Sequence, residues 1–463
     1  MSLFGLLGVG RSGLQANTLG LNVASHNASN VATEGYSRRS ARLEALPPPP
    51  RGGAGVRAAG SRRIVDGFVE KRLLDARTQL GSASARTRTL SVLDQVLQES
   101  AGGLGRAMDA FEESLVQLAA FPSENAARQE VLSRAGQLGR AFGDAAQALS
   151  TARDDANSRI QLEIDQVNEK LRQIGDLGKQ IGRVEVGGEE ASDLRDRRDQ
   201  LLREVADFVP VKVIEGSGAS ISVLLSGSMP LVTSDGELHA LEARTDATTG
   251  DVRIFRVAAG AGMDVSALVD GGSIGGVIQA RDGALGRARA ALDQLAFDIA
   301  ENYNTTHRAG VGLDAAGNRN LFEPLAAAAD AASSLQVAAD VAGQPERVAA
   351  ARDRAALPGD NRNALALQDL ADVSFAAGGT ATAATALSAL IATAGTEVSV
   401  ARNDLEAGEA SHEQLAQLRE SLSGVSLDEE MISLSRFQRA YQASIRVVQL
   451  ADEMLGELMT LKR

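Results

Sequence analysis

The closing stretch, Ser426 to Arg463, constrains the fold more than any other. Steps of four and three residues pick out Leu427, Met431, Leu434, Gln438, Tyr441, Ile445, Val448, Asp452, Leu455 and Met459, of which only Gln438 and Asp452 are polar. That is a heptad seam on a long helix. Phe437 and Leu450 widen it beyond a strict two-position stripe. Asp428, Glu429 and Glu430 fall in the first turn and Lys462 and Arg463 at the end, as the helix dipole favours. From Leu3 the same spacing gives Leu7, Gly10, Leu14, Asn17, Leu21, Ala24, Ala28 and Val31. Two striped helices at opposite termini either close on each other or each cover a globular body, and periodicity leaves both open.

What lies between is long enough for two to four domains, at 463 residues. Aromatic residues make up 3%, with no Trp, and 47 residues are Gly, so cores rest on Leu, Val, Ile and Ala with close helix approach. That composition suits long bundles better than a deep ligand pocket. The chain has no Cys, which excludes disulfides and thiolate metal sites. A net charge of −13 argues against nonspecific nucleic-acid binding. The run Arg38, Arg39, Arg42, Arg51, Arg57, Arg62 and Arg63 reads as a solvated linker or a contact for an acidic partner surface. No stretch is expected to reach the roughly 18–20 apolar residues of a membrane span, so no membrane association is expected. MSLFGLLGVG has no basic residue before it and no clear cleavage site, which makes it a poor cleavable signal.

Periodicity and turn residues divide the chain into mainly helical segments around a small β insert. Helix is expected over 3–32, with Tyr36 to Leu46 a short strand or extended arm. Pro47 to Pro50 and the Gly-rich residues after them read as a spacer. Helix resumes at 65–99, is expected to break at Gly102-Gly103, and continues over 104–120. After the Phe121-Pro122-Ser123 turn a long run from 124 to 184 carries the stripe Ile160, Ile164, Val167, Leu171 and Ile174. Ser192 opens a short charged helix. Strands are expected at Val211–Ile214, Ile221–Leu225, Leu231-Val232, Leu238–Leu241 and Val252–Val257, with turns at Gly216–Gly218, Ser234-Asp235-Gly236 and Thr249-Gly250-Asp251. Helices return over 274–306 and 383–423. The expected domains are a terminal coiled coil (1–46 and 425–463), a linker (47–63), a helical rod (64–208 and 274–424) and the β insert (209–273), nested so that each layer is discontinuous.

Three motifs suggest chemistry and fail on context. Gly8-Val9-Gly10-Arg11-Ser12-Gly13 matches a dinucleotide fingerprint but lacks the preceding strand. Gly271-Gly272-Ser273-Ile274-Gly275 matches a nucleophile elbow, with His307 downstream, but the chain does not alternate strand and helix. Ser273 reads better as a helix N-cap. His412-Glu413 begins a zinc motif that carries Ala416 where the second His belongs. No catalytic, cofactor or metal residues are assigned, and no enzymatic activity is expected.

The opening GLQANTLGLNVASHNASNVATEGYSR and the closing RFQRAYQASIRVVQLADEML resemble the terminal signatures of bacterial flagellar axial proteins. DLRDRRDQLLREVADFVPVKV (193–213), GGSIGGVIQARD (271–282) and PGDNRNALAL (358–367) are similar to segments of the hook-associated protein 1 family. The resemblance covers most of the chain and is weakest after residue 45 and in the strand-rich centre. It implies a structural subunit at the hook–filament junction, assembled helically through its termini, with hook protein and hook-associated protein 3 as partners. It further implies an export chaperone of the FlgN type on the C-terminal helix, and an extracellular flagellar location reached without a cleaved signal. The expected assembly interface takes Leu7, Leu14, Leu21, Leu434, Phe437, Tyr441, Ile445, Val448 and Leu455 from the stripes. Asn27, Asn30, Gly35 and Tyr36 join them through the resemblance, although as structure they read as a helix end and a turn. The alternatives are another axial protein of hook or distal-rod type or, from a different class, a surface hydrolase or adhesin.

Overall fold

The computed structural model describes residues 3–47, 55–216, 220–258 and 260–460, with side chains at all of these except 94–102, 458 and 460. The N-terminal stripe folds as α1 (Leu3–Ser29), ending a few residues before its pattern does, where the backbone turns toward Gly35 at φ 81°. Two antiparallel strands follow, β1 (Arg39–Ala45) and β2 (Val56–Arg63). β2 corrects the expected linker over 47–63. VRAAGSRR has little strand pattern, and its partners supply what its own side chains do not. Residues 48–54, most of the expected spacer, lie outside the described residues.

The helices come next: α2 (Gly67–Ala120), α3 (Asn125–Glu185) and α4 (Ser192–Ala206). α2 runs unbroken through Gly102 and Gly103, against the expected break. Each Gly costs about 1 kcal/mol relative to Ala in a helix, and burial of Leu90, Leu93, Leu104, Met108 and Phe111 on the flanking turns outweighs that. The stripe Ile160, Ile164, Val167, Leu171 and Ile174 is buried along α3.

The β insert forms two antiparallel three-stranded sheets. The first is β3 (Val211–Glu215), β4 (Ile221–Leu225) and β5 (Met229–Val232), with Val213 opposite Val223. The second is β6 (Leu241–Thr245), β7 (Val252–Ala258) and β8 (Ala261–Asp264). Leu238, expected in a strand, makes a single bridge to Val232. β8 lies beyond the expected strands, and AGMD is exposed at every position and has no alternation. Asn168 of α3 fixes the second sheet by accepting from Leu241 N (2.9 Å) and donating to Leu241 O (2.7 Å).

Helix returns as α5 (Gly272–Gln279), a π-helical turn (Ala280–Leu285) and α6 (Gly286–Arg308). A single turn α7 (Ala331–Ser334), α8 (Arg362–Gln368), α9 (Ala383–Ser423) and α10 (Leu427–Thr460) complete the chain. An 18-residue window within 383–457 reaches mean hydropathy 1.3, long and apolar enough by composition to cross a membrane. This departs from the sequence expectation, because the many Ala residues raise the average without a long run of large aliphatic side chains. In α9 Leu387, Leu390, Ala394 and Val398 are buried in a protein core instead.

The chain divides into two compact units, the first made of 1–82, 162–274 and 407–463, the second of 83–161 and 275–406. The single helical rod domain expected over 64–208 and 274–424 is divided between the two units, and 64–82, 162–208 and 407–424 fall in the same unit as the termini and the β insert. The core of the second unit draws on α2, α3, α6, α7, α8 and α9. At its centre Phe111 meets Tyr303 at 5.1 Å and Phe322 at 5.8 Å, both edge to face, the geometry aromatic rings prefer. The PGDNRNALAL stretch ties the core's periphery together. Asp360 accepts from the amides of Arg352, Asp353 and Arg362, and Asn361 and Asn363 donate to Ala119 O and Ala349 O. Bonding to Arg362 and to those amides holds the Asp360 carboxyl well below the usual range.

Candidate functional site

In the first unit α1 and α10 lie antiparallel. A Cβ added at Gly10 would meet Val448 Cγ2 at 2.7 Å, one at Gly13 would meet Ser444 Oγ at 2.9 Å, and one at Gly20 would meet the Phe437 ring at 2.4 Å. Asn17 Nδ2 donates to Ser444 Oγ at 3.1 Å. The line that α1 buries is therefore small: Gly10, Ala16, Gly20, Ala24 and Asn27. Leu7, Leu14 and Leu21 stand beside it, half-buried. A heptad reading weighted toward large side chains misses this line, which the recurrence of Gly and Ala at 10, 13, 16, 20 and 24 would have marked. On α10, Leu434, Phe437, Tyr441, Ile445, Val448 and Leu455 are half-buried. Phe4, Leu427, Met431, Ile432, Leu450, Met454 and Met459 remain exposed, with Phe4 at 77% and Ile432 at 70%. The pair keeps an apolar surface beyond the one it buries.

The end of α1 is locked by side chains rather than by a simple turn. Asn27 Oδ1 accepts from Arg39 N (3.0 Å), and Asn27 Nδ2 donates to Arg39 O (2.9 Å). This two-way clamp fixes the start of β1 against the helix. The buried Tyr36 hydroxyl donates to the same Asn27 oxygen at 2.7 Å and lies 3.0 Å from His26 Nδ1. Burial pushes the Tyr36 phenol up to about 12, with Arg39 over its ring opposing that rise. Asn30 Nδ2 donates to His26 O at 2.9 Å. Gly35 O accepts from Arg419 at 3.3 Å. Asn27, Asn30 and Tyr36 thus converge around His26, which sequence reasoning did not single out.

The basic run after α1 is mostly paired within the chain, which corrects its reading as a solvated linker. Arg38 bonds Glu429 and the buried Glu430 in the first turn of α10, both at 2.7 Å. Arg38 N also donates to Ser423 O at 2.8 Å, so one residue pins the link between α9 and α10. Arg39 and Arg63 are cross-strand partners in the β1–β2 register. Both turn to the acidic face of α4. Arg63 bonds Asp196 and Asp199, each at 2.7 Å, and Arg39 bonds Asp193. Burial alone would raise the Asp199 carboxyl, but Arg63 and Arg198 hold it below its usual value. Arg203 of α4 and Arg419 of α9 share Glu70 of α2, at 3.0 and 2.8 Å. The charged segment 193–213 is the anchor of this network. Arg57 and Arg42 pair with Glu44 on the strand surface, and Arg51 lies outside the described residues.

The motifs that suggested chemistry have other roles. The Gly8–Gly13 stretch is helical. α5 begins at Gly272, so Ser273 lies inside its first turn rather than ahead of it, and its hydroxyl donates to Glu163 of α3. Both ring nitrogens of His307 are engaged by main chain. His412 is half-buried on α9, where burial and Arg77 lower its pKa. Among the described residues no group of three or more His, Asp or Glu is placed to hold a metal.

Comparison with known proteins agrees with this architecture. A family model described as the flagellar hook-associated protein FlgK helical domain matches residues 90–322, just over half of the chain. A second, for the C-terminal region of flagellar basal body rod FlgEFG proteins, matches 417–461, most of which is α10. Flagellar hook-associated protein 1 of Escherichia coli (strain K12) is 27% identical, over 97% of this chain and 98% of that protein. Its counterpart in Bacillus subtilis (strain 168) is also 27% identical, over 99% and 98%. The structure of the flagellar hook junction protein FlgK from Burkholderia pseudomallei superposes with a TM-score of 0.68 at 17% identity, covering 77% of this chain and all of that one. At that identity the superposition speaks for the fold.

Proposed function

The chain belongs to the family of the flagellar hook-associated protein FlgK, and from that premise we propose that it is a structural subunit of the bacterial flagellum working at the junction of hook and filament. Its task is mechanical rather than catalytic. Subunits stack helically, and α1 and α10 form the contact surface along the axis. The observation that carries this reading is the surplus apolar surface of the terminal pair. Exposed apolar patches on a chain mark interaction sites, and here the exposed residues are Phe4 on α1 and Leu427, Met431, Ile432, Leu450, Met454 and Met459 on α10, the helix within the matched C-terminal region. Leu7, Leu14, Leu21, Leu434, Phe437, Tyr441, Ile445, Val448 and Leu455 form the interface with Met431, Ile432 and Met454. Asn27, Asn30, Gly35 and Tyr36 hold the helix end that meets the neighbouring subunit.

The hook protein lies on one side and hook-associated protein 3 on the other. Before assembly, an export chaperone of the FlgN type covers 427–461, and the chain leaves the cell with its N-terminal region as an uncleaved signal. The test is electron microscopy of cells lacking the gene, with the medium assayed for flagellin. Hooks without filaments, plus free flagellin, are expected. Missing hooks would instead assign the chain to the rod or hook, and normal filaments would sink the reading.

A further inference from the structure

A titratable group with no part in assembly lies inside the second unit. His307, near the end of α6, is fully buried. Its Nδ1 is 2.7 Å from Arg319 O, and its Nε2 is 2.9 Å from Ala349 N. A carbonyl only accepts and an amide N–H only donates, so the ring carries its proton on Nδ1 and its lone pair on Nε2. One turn earlier Asn304 holds the same loop, accepting from Leu321 N and Phe322 N at 2.8 Å. The segment around Ala349 is bonded further by Asn363 of α8, a neutral side chain donating to Ala349 O, and by Val311 pairing with Ala351.

The charged groups that act on the ring are cationic. They are Arg319, from the loop after α6, and Arg128, from α3. Arg319 is paired with Asp314 at 2.6 Å. Arg128 is fully buried and spends its donors on carbonyls, Pro122 O at 3.0 and 2.6 Å and Val348 O. Burial pushes the His307 pKa down to about 4, and Arg319 and Arg128 add to that fall against the Arg319 carbonyl bond.

We propose that His307 is an acid-release pin: a proton taken up from solvent at Nε2 turns the acceptor of the Ala349 N–H into a donor and frees the segment 345–351 from α6. Two donors then face each other at 2.9 Å, and a new positive charge sits beside Arg128 and Arg319 in a fully buried site. The sign follows from the geometry. The neutral ring belongs to the closed state and the charged ring to the open one, so the closed state is fully favoured above the ordinary His value of 6.5 and weakens as pH falls toward about 4.

The test uses the full-length chain. Hydrogen exchange at the Ala349 amide is followed from pH 7 to 4.5 and corrected for intrinsic rates, while the His307 ring is titrated by NMR. Only four histidines compete for assignment. The protection of Ala349 is expected to fall about tenfold per pH unit below 6.5, about 100-fold in all by pH 4.5, in step with His307. His307→Gln, which does not titrate, is expected to remove that dependence. Protection that stays constant in the wild type, or that falls equally in the variant, overturns the proposal. Should the variant not fold, the wild type decides alone, because loss of protection that tracks another group also overturns it.

Discussion

At the centre of the second unit Phe111, Tyr303 and Phe322 meet edge to face; along the terminal pair the closest approaches are made by Gly10, Gly13 and Gly20. The first arrangement fills space with large rings, so removing one ring costs several kcal/mol and leaves a hole. The second removes side chains so that a neighbouring helix comes close, and its large apolar residues are left half-buried or exposed. The lesson is that a helix pair built on small residues is complete as a pair yet unsatisfied as a surface. A core built on aromatics is complete in itself. The difference matches a chain in which one region stays folded alone and the other awaits more copies.

Three single substitutions and one double variant test the contrast. Phe111→Ala is expected to cost about 3–5 kcal/mol, read as a lower urea midpoint for the second unit, with amide protection along α1 unchanged. Equal loss in both regions would show that the two are not independent. Gly20→Leu is expected to cost roughly 1–3 kcal/mol through overpacking against Phe437, read as faster exchange along α1 and α10 with the second unit intact. Adding Phe437→Ala should recover part of that cost, and a double variant no better than Gly20→Leu alone would mean that the clash lies elsewhere. Glu429→Gln is expected to change stability by no more than about 0.5 kcal/mol, because its partner Arg38 keeps the buried Glu430 and Glu429 is itself exposed. A larger loss would show that the α9–α10 link depends on the exposed pair.

Where the sequence spoke of burial, it was legible. The α3 stripe and the central strands β3, β4 and β7 carry apolar periodicity, and each lies where that periodicity put it; the α10 seam gives the helix but not its burial, since Leu427, Met431 and Met459 are exposed. What was not legible depends on contacts distant in the chain. β2 has Ala, Gly and Arg where a strand former would be expected, and it is held by carboxylates more than a hundred residues away. α2 passes two glycines because buried flanks compensate. The small-residue line on α1 was visible but was outweighed by the leucines beside it. His26 gave no signal, since one imidazole at a helix end looks like any other.

Arg39 and Arg63 stand opposite each other across β1 and β2, a placement that like charges make unfavourable in an isolated pair of strands. Glu44 opposite Arg57 favours one end of the hairpin by itself, so it is the Arg39–Arg63 end that lacks a local counter-charge. It has to wait for α4, whose carboxylates lie more than 130 positions later than Arg63. Closing so long a loop is slow compared with winding a helix. The charge balance at that end of the hairpin is accordingly completed by residues made much later, Asp196 and Asp199.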